Sequence, residues 1–484
     1  MLHIYWFRKD LRLTDNRALS EFINSVSGND KFLFLYIKNR NTYKYFGEKR
    51  LGFLYETLIE LNEELGKLNF HLEIIEGKSK NVFKSLTENY KELSVYCNKQ
   101  VEPYCIGRDE EVKELLNETG NKFHSYSDTT LFEPGEVLNG EGNQYKVYTP
   151  FKNQCLKILK DADFKKIDSD LSRLNPDNEE SISGLNKIDP DSELQKINKS
   201  DFLKGGRQEG LKLLKEFYEN GLEEYRSKRD IPSVGGTSLL SAHLHFGTIG
   251  IREAFRTAFV KYDKVNNESS KGEIQTWINE LLWREFYYNI TFHNPRIIFE
   301  SFKKECDNIR WNNDIHNFDK WCQGKTGYPI VDAGMRQLVK EGWMHNRVRM
   351  VTAMFLTKDL LTDWRWGEKF FAEHLIDLDF SSNNGGWQWS ASTGVDAQPY
   401  FRIFNPYLQS KKFDPGGIYI RKYLPELRTL PAEFIHNPSL MNEEQQKLYG
   451  VIIDKDYPSP IVEHFKVKDE VVKRFKEALD SELK

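Results

Sequence analysis

Short apolar runs alternate with amphipathic helical patterns over the first 130 residues. The apolar runs have the length of buried strands, and they cover 2–7, 32–37, 71–76, 93–98 and 122–126. Apolar side chains at helical spacing lie between them, at 48–68 and 108–119. This alternation predicts a doubly wound, parallel α/β domain over residues 1–130.

The rest of the chain changes character twice. Residues 131–204 are rich in Asn, Asp, Ser and Lys and predict a long connector between domains. From residue 205 the pattern is helical almost throughout, which predicts an all-helical domain over 205–484. The clearest helices are expected near 249–262, 273–291, 328–341, 344–361 and 367–376.

Composition narrows the class of protein. Of the 484 residues, 39% are hydrophobic and 29% are charged, which is typical of a globular protein. The first apolar run meets charge too soon for a signal peptide, and no run approaches the roughly 20 residues of a membrane span. We therefore expect a soluble, cytoplasmic protein without membrane contact. Five scattered cysteines without a CxxC pair predict neither a metal site nor disulfides.

Charge and tryptophan are unevenly distributed. The net charge of −4 argues weakly against nucleic acid as a partner, but residues 401–430 contain six basic and two acidic side chains. A local basic face is compatible with that distribution. Nine of the ten tryptophans lie between Trp277 and Trp389. This density suits either a well-packed helical core or an aromatic environment for a flat ligand.

Two segments combine polar groups with helices in a way that suits ligand binding. Residues 235–241 precede a helix and offer either backbone N–H groups to a phosphate or a simple helix cap. In 277–286, Trp277, Glu280, Trp283 and Arg284 share one broad helical face. That face favours a ligand, because Glu and Arg are costly to bury unpaired.

Two further segments lie later in the chain. In 342–350, Asn346, Arg349 and Met350 share one side of a helix and Arg347 points elsewhere, whereas His345 is more typical of a satisfied core histidine. Residues 377–389 combine acids, amides, glycines and indoles within thirteen positions. The acids and amides can hydrogen-bond the edge of a heterocycle, and the glycines permit close approach of the backbone.

Together these segments resemble the photolyase/cryptochrome family, and within it the class I photolyases that repair cyclobutane pyrimidine dimers. The motifs that carry the resemblance span nearly the whole chain and are 6–16 (WFRKDLRLTDN), 328–333, 343–350, 377–394 and 400–406 (YFRIFNP). The resemblance implies an N-terminal α/β domain of the antenna type and a helical domain that binds FAD.

The resemblance also implies which residues bind FAD. Arg349 and Asp377 would pair beside the isoalloxazine ring, and Asp379 would bind its pyrimidine edge. Asn383 would face its central nitrogen. The full implied set is Tyr225, Thr237, Ser238, Leu239, Leu240, Ser241, Trp277, Arg284, Arg349, Asp377, Leu378, Asp379 and Asn383.

A second implied set receives DNA that contains a pyrimidine dimer. Trp283 and Trp389 would form walls for the dimer, which must leave the duplex before chemistry on it can occur. Glu280 and Asn346 would hydrogen-bond its carbonyl edge, where negative charge develops. The full implied set is Arg229, Glu280, Trp283, Asn346, Arg347, Met350, Trp389 and Arg402, with the arginines on phosphates.

The implied reaction is driven by light. Excited, fully reduced FAD would pass one electron to the dimer, the cyclobutane ring would open, and the electron would return. The residues implied to act in it are Glu280, Asn383 and a relay of Trp387, Trp364 and Trp311 that carries electrons inward to oxidised FAD.

An antenna chromophore is a further implication of the resemblance. Family members often hold a folate, a deazaflavin or FMN in the N-terminal domain. At Tyr104 and Cys105 this chain lacks the Asn–Glu pair of the folate-binding repair enzymes, so the identity of the antenna stays open. We expect the protein to be a monomer.

Three other functions remain open from the sequence. A cryptochrome-type blue-light sensor would share the fold and the flavin, but the presence of Glu280, Trp283, Met350 and Trp389 favours repair. A six-four photoproduct photolyase would carry paired histidines where this chain has His345 and Asn346. A flavin-dependent dehydrogenase or nucleotide-binding module would show G-x-G-x-x-G after the first strand, and residues 7–16 contain no glycine.

Overall fold

The computed structural model describes residues 1–43, 45–160 and 164–480. Backbone contacts divide the chain into two compact units. Unit 1 comprises residues 1–223 and 238–295, and unit 2 comprises residues 224–237 and the chain from Arg296 onward. The short segment 224–237 thus belongs to unit 2, although its neighbours on both sides along the chain belong to unit 1.

Unit 1 contains a five-stranded parallel sheet. Its strands are β1 (Leu2–Phe7), β2 (Lys31–Lys38), β3 (Leu72–Glu76), β4 (Leu93–Asn98) and β5 (Lys122–Tyr126). The spatial order is β3-β2-β1-β4-β5, with β1 at the centre pairing with both β2 and β4. Every residue of β1 is buried, as expected where helices cover both faces of a parallel sheet. The predicted doubly wound α/β domain is confirmed.

Helices make up the remaining regular structure. The α-helices are α1 (Arg17–Ser25), α2 (Arg40–Tyr43), α3 (Glu48–Gly66), α4 (Ser79–Asn89), α5 (Pro103–Glu118), α6 (Tyr148–Ile158), α7 (Pro190–Leu194), α8 (Arg207–Asn220), α9 (Tyr225–Lys228), α10 (Ser241–Phe246), α11 (Ile251–Lys264), α12 (Glu268–His293), α13 (Ile315–Cys322), α14 (Pro329–Glu341), α15 (Asn346–Met354), α16 (Trp364–His374), α17 (Phe380–Ala391), α18 (Pro406–Phe413), α19 (Ile418–Tyr423), α20 (Ala432–Ile435), α21 (Glu443–Tyr449) and α22 (His464–Asp480). Short 3₁₀ turns lie at Leu171–Arg173, Pro176–Asn178, Leu222–Glu224, Pro295–Ile298, Lys304–Asn308, Pro425–Leu427 and Pro438–Leu440.

One predicted helix differs from the structure. The pattern over 344–361 predicted a single helix, but α15 ends at Met354 and a π-helical turn follows over Phe355–Asp359. This turn buries two charged side chains, which an amphipathic pattern does not anticipate. Lys358 donates to the carbonyl of Ala391 at 3.0 Å, and Asp359 pairs with His464.

The core of unit 2 forms around α14, α15, α16 and α17. Its buried apolar side chains include Trp321, Met344, Leu356, Trp364 and Trp387. Within the described ranges, no helix is long and apolar enough to cross a membrane, and no group of three or more His, Cys, Asp or Glu side chains could hold a metal ion.

Part of the predicted connector is fastened to the sheet beside β3. Glu179 accepts hydrogen bonds from the His71 backbone N–H at 3.0 Å and from its ring at 2.7 Å. Lys187 forms an ion pair with Glu73 at 2.8 Å. Burial alone would raise the pKa of Glu73, but hydrogen bonds from His71, Lys187 and Ser181 lower it to about 2. Hydrogen bonds to Glu179 and Glu73 raise the pKa of His71 to about 9.

We predict that stability falls when His71 loses its proton. Because the folded-state pKa of His71 is raised, its contribution is complete below about pH 6.5 and is lost as the pH rises through 9. Since the side chain is 44% exposed, we expect no more than about 1 kcal/mol. Thermal unfolding of the wild type and of His71→Gln from pH 6 to 10 should show two melting temperatures that converge with rising pH. His316→Gln, at an exposed histidine, is the control, and a constant gap across this range would contradict the assignment.

Candidate functional site

The opening motif 6–16 holds the end of helix α10 in unit 1. The backbone N–H of Leu11 donates to the carbonyl of Phe246, and Arg12 donates to the carbonyl of Gly247, both at 3.1 Å. Gly247 has a φ of +71°, and a Cβ there would lie 2.1 Å from the carbonyl oxygen of Lys9. Only glycine fits so close to another backbone in this conformation. The motif therefore positions α10 and the loop before it.

A buried ion cluster reinforces this arrangement. Asp128 pairs with both Arg12 and Arg252, and all three side chains are almost completely buried. Burial alone would raise the pKa of Asp128, but the two guanidinium groups lower it. The carboxylate is thus charged in the interior, where both of its charged partners are needed.

The loop before α10 combines left-handed and right-handed backbone conformations. Leu239 adopts a φ of +54°, followed by Leu240 with φ −85° and ψ −2°. When a left-handed and a right-handed backbone conformation follow one another, the N–H groups of successive residues point to the same side of the chain. They then form a concave surface that can bind an anion. The N-cap of α10 makes no side-chain hydrogen bond, which disfavours the simple cap that the sequence left open. Thr237 and Ser238 are partly exposed beside it, and Ser241 is exposed.

The other site residues that the sequence predicts in unit 1 lie on helix α12. Trp277 is buried against Phe217 with ring centroids 5.1 Å apart, and Glu280 is partly exposed. Arg284 donates to the carbonyl of Thr129 at 2.8 Å and to the hydroxyl of Tyr288 at 3.2 Å. These contacts use part of the five-donor guanidinium and hold its plane in place.

Trp283 is braced by a residue of the predicted connector. Its indole stacks on the ring of Tyr148, with centroids 3.7 Å apart and planes 11° from parallel. The hydroxyl of Tyr148 donates to the carbonyl of Asn279 at 2.6 Å, one turn before Trp283 in α12. One face of the indole is therefore covered by the protein, while the side chain as a whole stays partly exposed.

Helix α15 separates its polar side chains in unit 2. His345 is buried and caps the helix, its ring Nδ1 accepting from the backbone N–H of Arg347 at 3.2 Å. Burial lowers the pKa of His345 to about 4, so this ring is neutral near pH 7. The interpretation of His345 as a structural histidine agrees with this geometry. Asn346 is exposed, and its amide lies 4.0 Å from the sulfur of Met350.

The two arginines of α15 have different partners. Arg349 binds both oxygens of Asp377, at 3.1 and 2.8 Å, which is the pairing that the resemblance implied. Arg347 pairs instead with Asp230 at 2.9 Å. Arg229, next to Asp230, lies over the ring of buried Tyr225.

Helix α17 fixes the orientation of Asn383. Asp379 caps the helix by accepting from the backbone N–H of Ser382 at 2.9 Å. The amide nitrogen of Asn383 donates to the carbonyl of Glu368 at 3.2 Å, which assigns the other end of the amide as the acceptor. The Glu368 carboxyl accepts from Asn384 at 2.9 Å, and burial raises its pKa to about 7.

The three relay tryptophans lie in or against one apolar cluster. Trp364 and Trp387 are buried in it, and Trp311 packs on it while partly exposed. Helix α16 approaches so closely at Gly367 that a Cβ there would lie 2.1 Å from the Trp387 ring. Within the part of the chain that is described, the indole N–H groups of Trp364 and Trp387 have no acceptor.

The other predicted residues lie at the surface of unit 2 or beside its polar groups. Trp389 is partly exposed on α17, and Arg402 is exposed before α18. Leu378 precedes the Asp379 cap and packs against the unit 2 core. The structure thus gives each residue a place within its own unit, and the roles in ligand binding stay predictions.

Comparison with known proteins identifies the family. A model described as the FAD binding domain of DNA photolyase matches residues 277–477, and one described as DNA photolyase matches residues 3–169. A deoxyribodipyrimidine photo-lyase of Alkalihalophilus pseudofirmus is 38% identical, covering 98% of each chain. The chain belongs to the photolyase/cryptochrome family.

Solved structures similar to this chain include a photolyase and a cryptochrome. A class III photolyase from Agrobacterium tumefaciens has a TM-score of 0.88 at 33% identity and covers 99% of this chain and 98% of its own. A cryptochrome from Synechocystis has a TM-score of 0.86 at 28% identity and covers 98% of each chain. The predicted fold class and FAD as cofactor are thereby confirmed.

The side chains present fit this cofactor. An uncapped loop with a left-handed residue suits a diphosphate, and the Arg349–Asp377 pair offers hydrogen bonds to a heterocycle. The amide nitrogen of Asn383 donates to Glu368, so its amide oxygen can accept a hydrogen bond from a ring N–H.

Sequence reasoning missed several supporting residues. Tyr148, Asp230 and Glu368 each contact a predicted site residue directly. Trp321 contacts Trp387 with ring centroids 6.1 Å apart. Only Asp230 had a signal in the sequence, because it directly follows Arg229. The others are distant in sequence from the residues they support.

Proposed function

We propose that this protein repairs cyclobutane pyrimidine dimers in DNA when it absorbs light. The observation that carries the proposal is the surface of α15. Exposed Asn346 lies beside the partly buried Met350, while Arg347 points away toward Asp230. On this helix, the side chains that can contact a base lie apart from the arginine that can bind a phosphate. This separation suits an extruded nucleotide, whose base and sugar–phosphate backbone need different contacts. The name deoxyribodipyrimidine photo-lyase of the relative from Alkalihalophilus pseudofirmus supports the same proposal.

The residues of this chain hold the lesion and shape its charge. When bound and fully reduced, FAD supplies under light the electron that opens the cyclobutane ring and recovers it afterwards. The amide N–H of Asn346 and the O–H of protonated Glu280 donate to the carbonyl edge of the dimer, and these hydrogen bonds strengthen as that edge gains negative charge. Arg229, Arg347 and Arg402 hold flanking phosphates.

Two partly exposed indoles, one in each unit, offer apolar surfaces on which a base can stack. Because Tyr148 covers one face of Trp283, a pyrimidine can stack only on the other face. Trp389 is partly exposed on α17 and offers a second surface. A braced indole loses little conformational freedom on binding, which favours affinity.

We also propose that Trp387, Trp364 and Trp311 relay electrons from the surface to oxidised FAD. Trp364 and Trp387 are buried in the apolar cluster of unit 2, and Trp311 packs on that cluster while partly exposed. An electron can therefore enter at Trp311 and pass inward through the two buried indoles.

The chemistry of His345 bears on the six-four alternative. That enzyme would present a histidine pair, but His345 is buried as a helix cap and its neighbour is Asn346. The likeness to the Synechocystis cryptochrome keeps the light-sensor alternative open, because its fold matches almost as well as that of the photolyase. Repair of a lesion under light separates the two.

Four further expectations stay proposals. They are assignment to class I, action as a cytoplasmic monomer, the three-part division of the chain at 130 and 204, and an antenna whose identity, folate, deazaflavin or FMN, is open. The absorption spectrum of purified protein would identify a second chromophore.

We predict that reduced protein splits thymine dimers in DNA under blue or near-ultraviolet light and is inactive in the dark. The measurement is loss of dimers from a defined oligonucleotide, with illuminated buffer as the control. Equal activity in light and dark, or none in either, would refute the proposed function.

We predict that single mutations distinguish the contribution of base stacking to DNA affinity from that of phosphate contacts. Trp283→Ala should weaken binding of dimer-containing DNA about five- to over a hundredfold, since indole–base stacking is worth about 1–3 kcal/mol, and should leave undamaged DNA almost unaffected. Arg347→Ala should weaken both together and flatten the salt slope by about one. Glu280→Ala should mainly lower repair yield per photon. Titrations at several salt concentrations test this, and equal losses for both DNAs in Trp283→Ala would remove Trp283 from the pocket.

We predict that Trp387→Phe abolishes photoreduction of oxidised FAD but leaves repair by pre-reduced enzyme largely intact. The relay refills the flavin, whereas repair uses an electron already there. Flavin absorbance during illumination measures the effect. Trp321→Phe is the matched control, because Trp321 contacts Trp387 but donates its N–H to the Thr352 carbonyl. Normal photoreduction in Trp387→Phe would place the relay elsewhere.

A further inference from the structure

Asp230 lies among the arginines that the proposed function assigns to DNA phosphates. Its carboxylate is 2.9 Å from the terminal nitrogen of Arg347 and 3.9 Å from Nε of Arg229. The Arg347 guanidinium also lies over the ring of Phe413, 4.4 Å from its centroid, which limits how far it can swing. The Asp230 carboxylate thus lies near both guanidinium groups, in a position that also suits a phosphate oxygen.

We propose that Asp230 competes with DNA phosphate for Arg229 and Arg347 and thereby limits binding that is blind to the lesion. Carboxylate and phosphate oxygens meet a guanidinium in the same geometry, so they are alternative partners for it. The inference rests on the proposed function, since it requires that these arginines bind DNA.

Exposure and contacts favour competition over a structural role. The side chain of Asp230 is 35% exposed, and those of Arg347 and Arg229 are 17% and 20% exposed, so a phosphate can reach the cluster. Within the described residues, the Asp230 carboxylate makes no hydrogen bond or ion pair apart from those with the two arginines. An ion pair this close to solvent contributes little to folding.

The consequence concerns search and release rather than chemistry. Phosphate contacts carry no base information, so the effect of Asp230 applies equally to damaged and intact DNA. A carboxylate beside the arginines weakens both by the same factor. Repaired strands are then released more readily, while recognition of the dimer is left to the side chains that contact bases.

The test is Asp230→Asn, which keeps the shape of the side chain and removes its charge. We expect affinity for both intact and dimer-containing DNA to rise by the same factor, about two- to fivefold, as for a partly exposed ion pair. The slope of log affinity against log salt should steepen by up to about one, because one more phosphate charge is neutralised. Repair yield per photon should not change.

Two further variants make the result specific. Asp469→Asn, at an exposed position on α22, removes one negative charge elsewhere and should leave affinity and slope nearly unchanged. In an Arg347→Ala background, the gain from Asp230→Asn should shrink, because the carboxylate then has one arginine less to compete for.

The outcomes separate this inference from the proposed function. If wild-type protein binds DNA but Asp230→Asn binds it no better or more weakly, with an unchanged melting temperature, Asp230 instead orients the arginines and the inference is wrong. If Asp469→Asn gives the same gain, general charge explains the effect and the inference also fails. If the wild type shows neither salt-dependent DNA binding nor repair, the proposed function itself is wrong.

Discussion

Asp128 is a buried carboxylate that is charged because Arg12 and Arg252 hold it from two parts of unit 1. Its charge is tolerable only while both partners stay in place, since a lone charge in the interior is far more costly than a paired one. Arg12 also binds the end of α10 through Gly247. The cluster therefore ties the opening motif to α10 and α11, and the geometry of the loop over 238–241 depends on it. A motif that marks the family is, in this structure, mainly a device for placing another segment.

Unit 2 holds several of its polar groups with partners that determine what remains available. The amide of Asn383 is oriented by a backbone carbonyl, and Arg349 is committed to Asp377. Among the residues that the structure describes, the N–H groups of Trp364 and Trp387 have no acceptor. These contacts leave the amide oxygen of Asn383 available as an acceptor and hold the Arg349–Asp377 ion pair in place.

The fold alone does not distinguish repair from light sensing, since a photolyase and a cryptochrome match this chain almost equally well. The proposed function assigns that distinction to side chains that would contact the lesion. Asn346 is exposed on α15, Trp283 is braced by Tyr148, and His345 is buried as a helix cap. If these assignments hold, binding strength and selectivity are separable, because Asp230 contacts the arginines proposed to bind phosphate and does not contact the indoles proposed to bind bases.

The sequence by itself determined the strands, their alternation with helices, and the family. Periodicity sufficed there because a buried strand such as β1 must be apolar throughout, and long motifs survive as local patterns. It also located the Arg349–Asp377 pair through the resemblance. Only the tertiary structure decided that 224–237 joins the second unit, that Lys358 and Asp359 are buried in a π turn, and that Tyr148 and Glu368 support Trp283 and Asn383. These contacts join residues that are far apart in the sequence, and they form only when helices and loops pack together. The spacing of residues along the chain therefore does not reveal them.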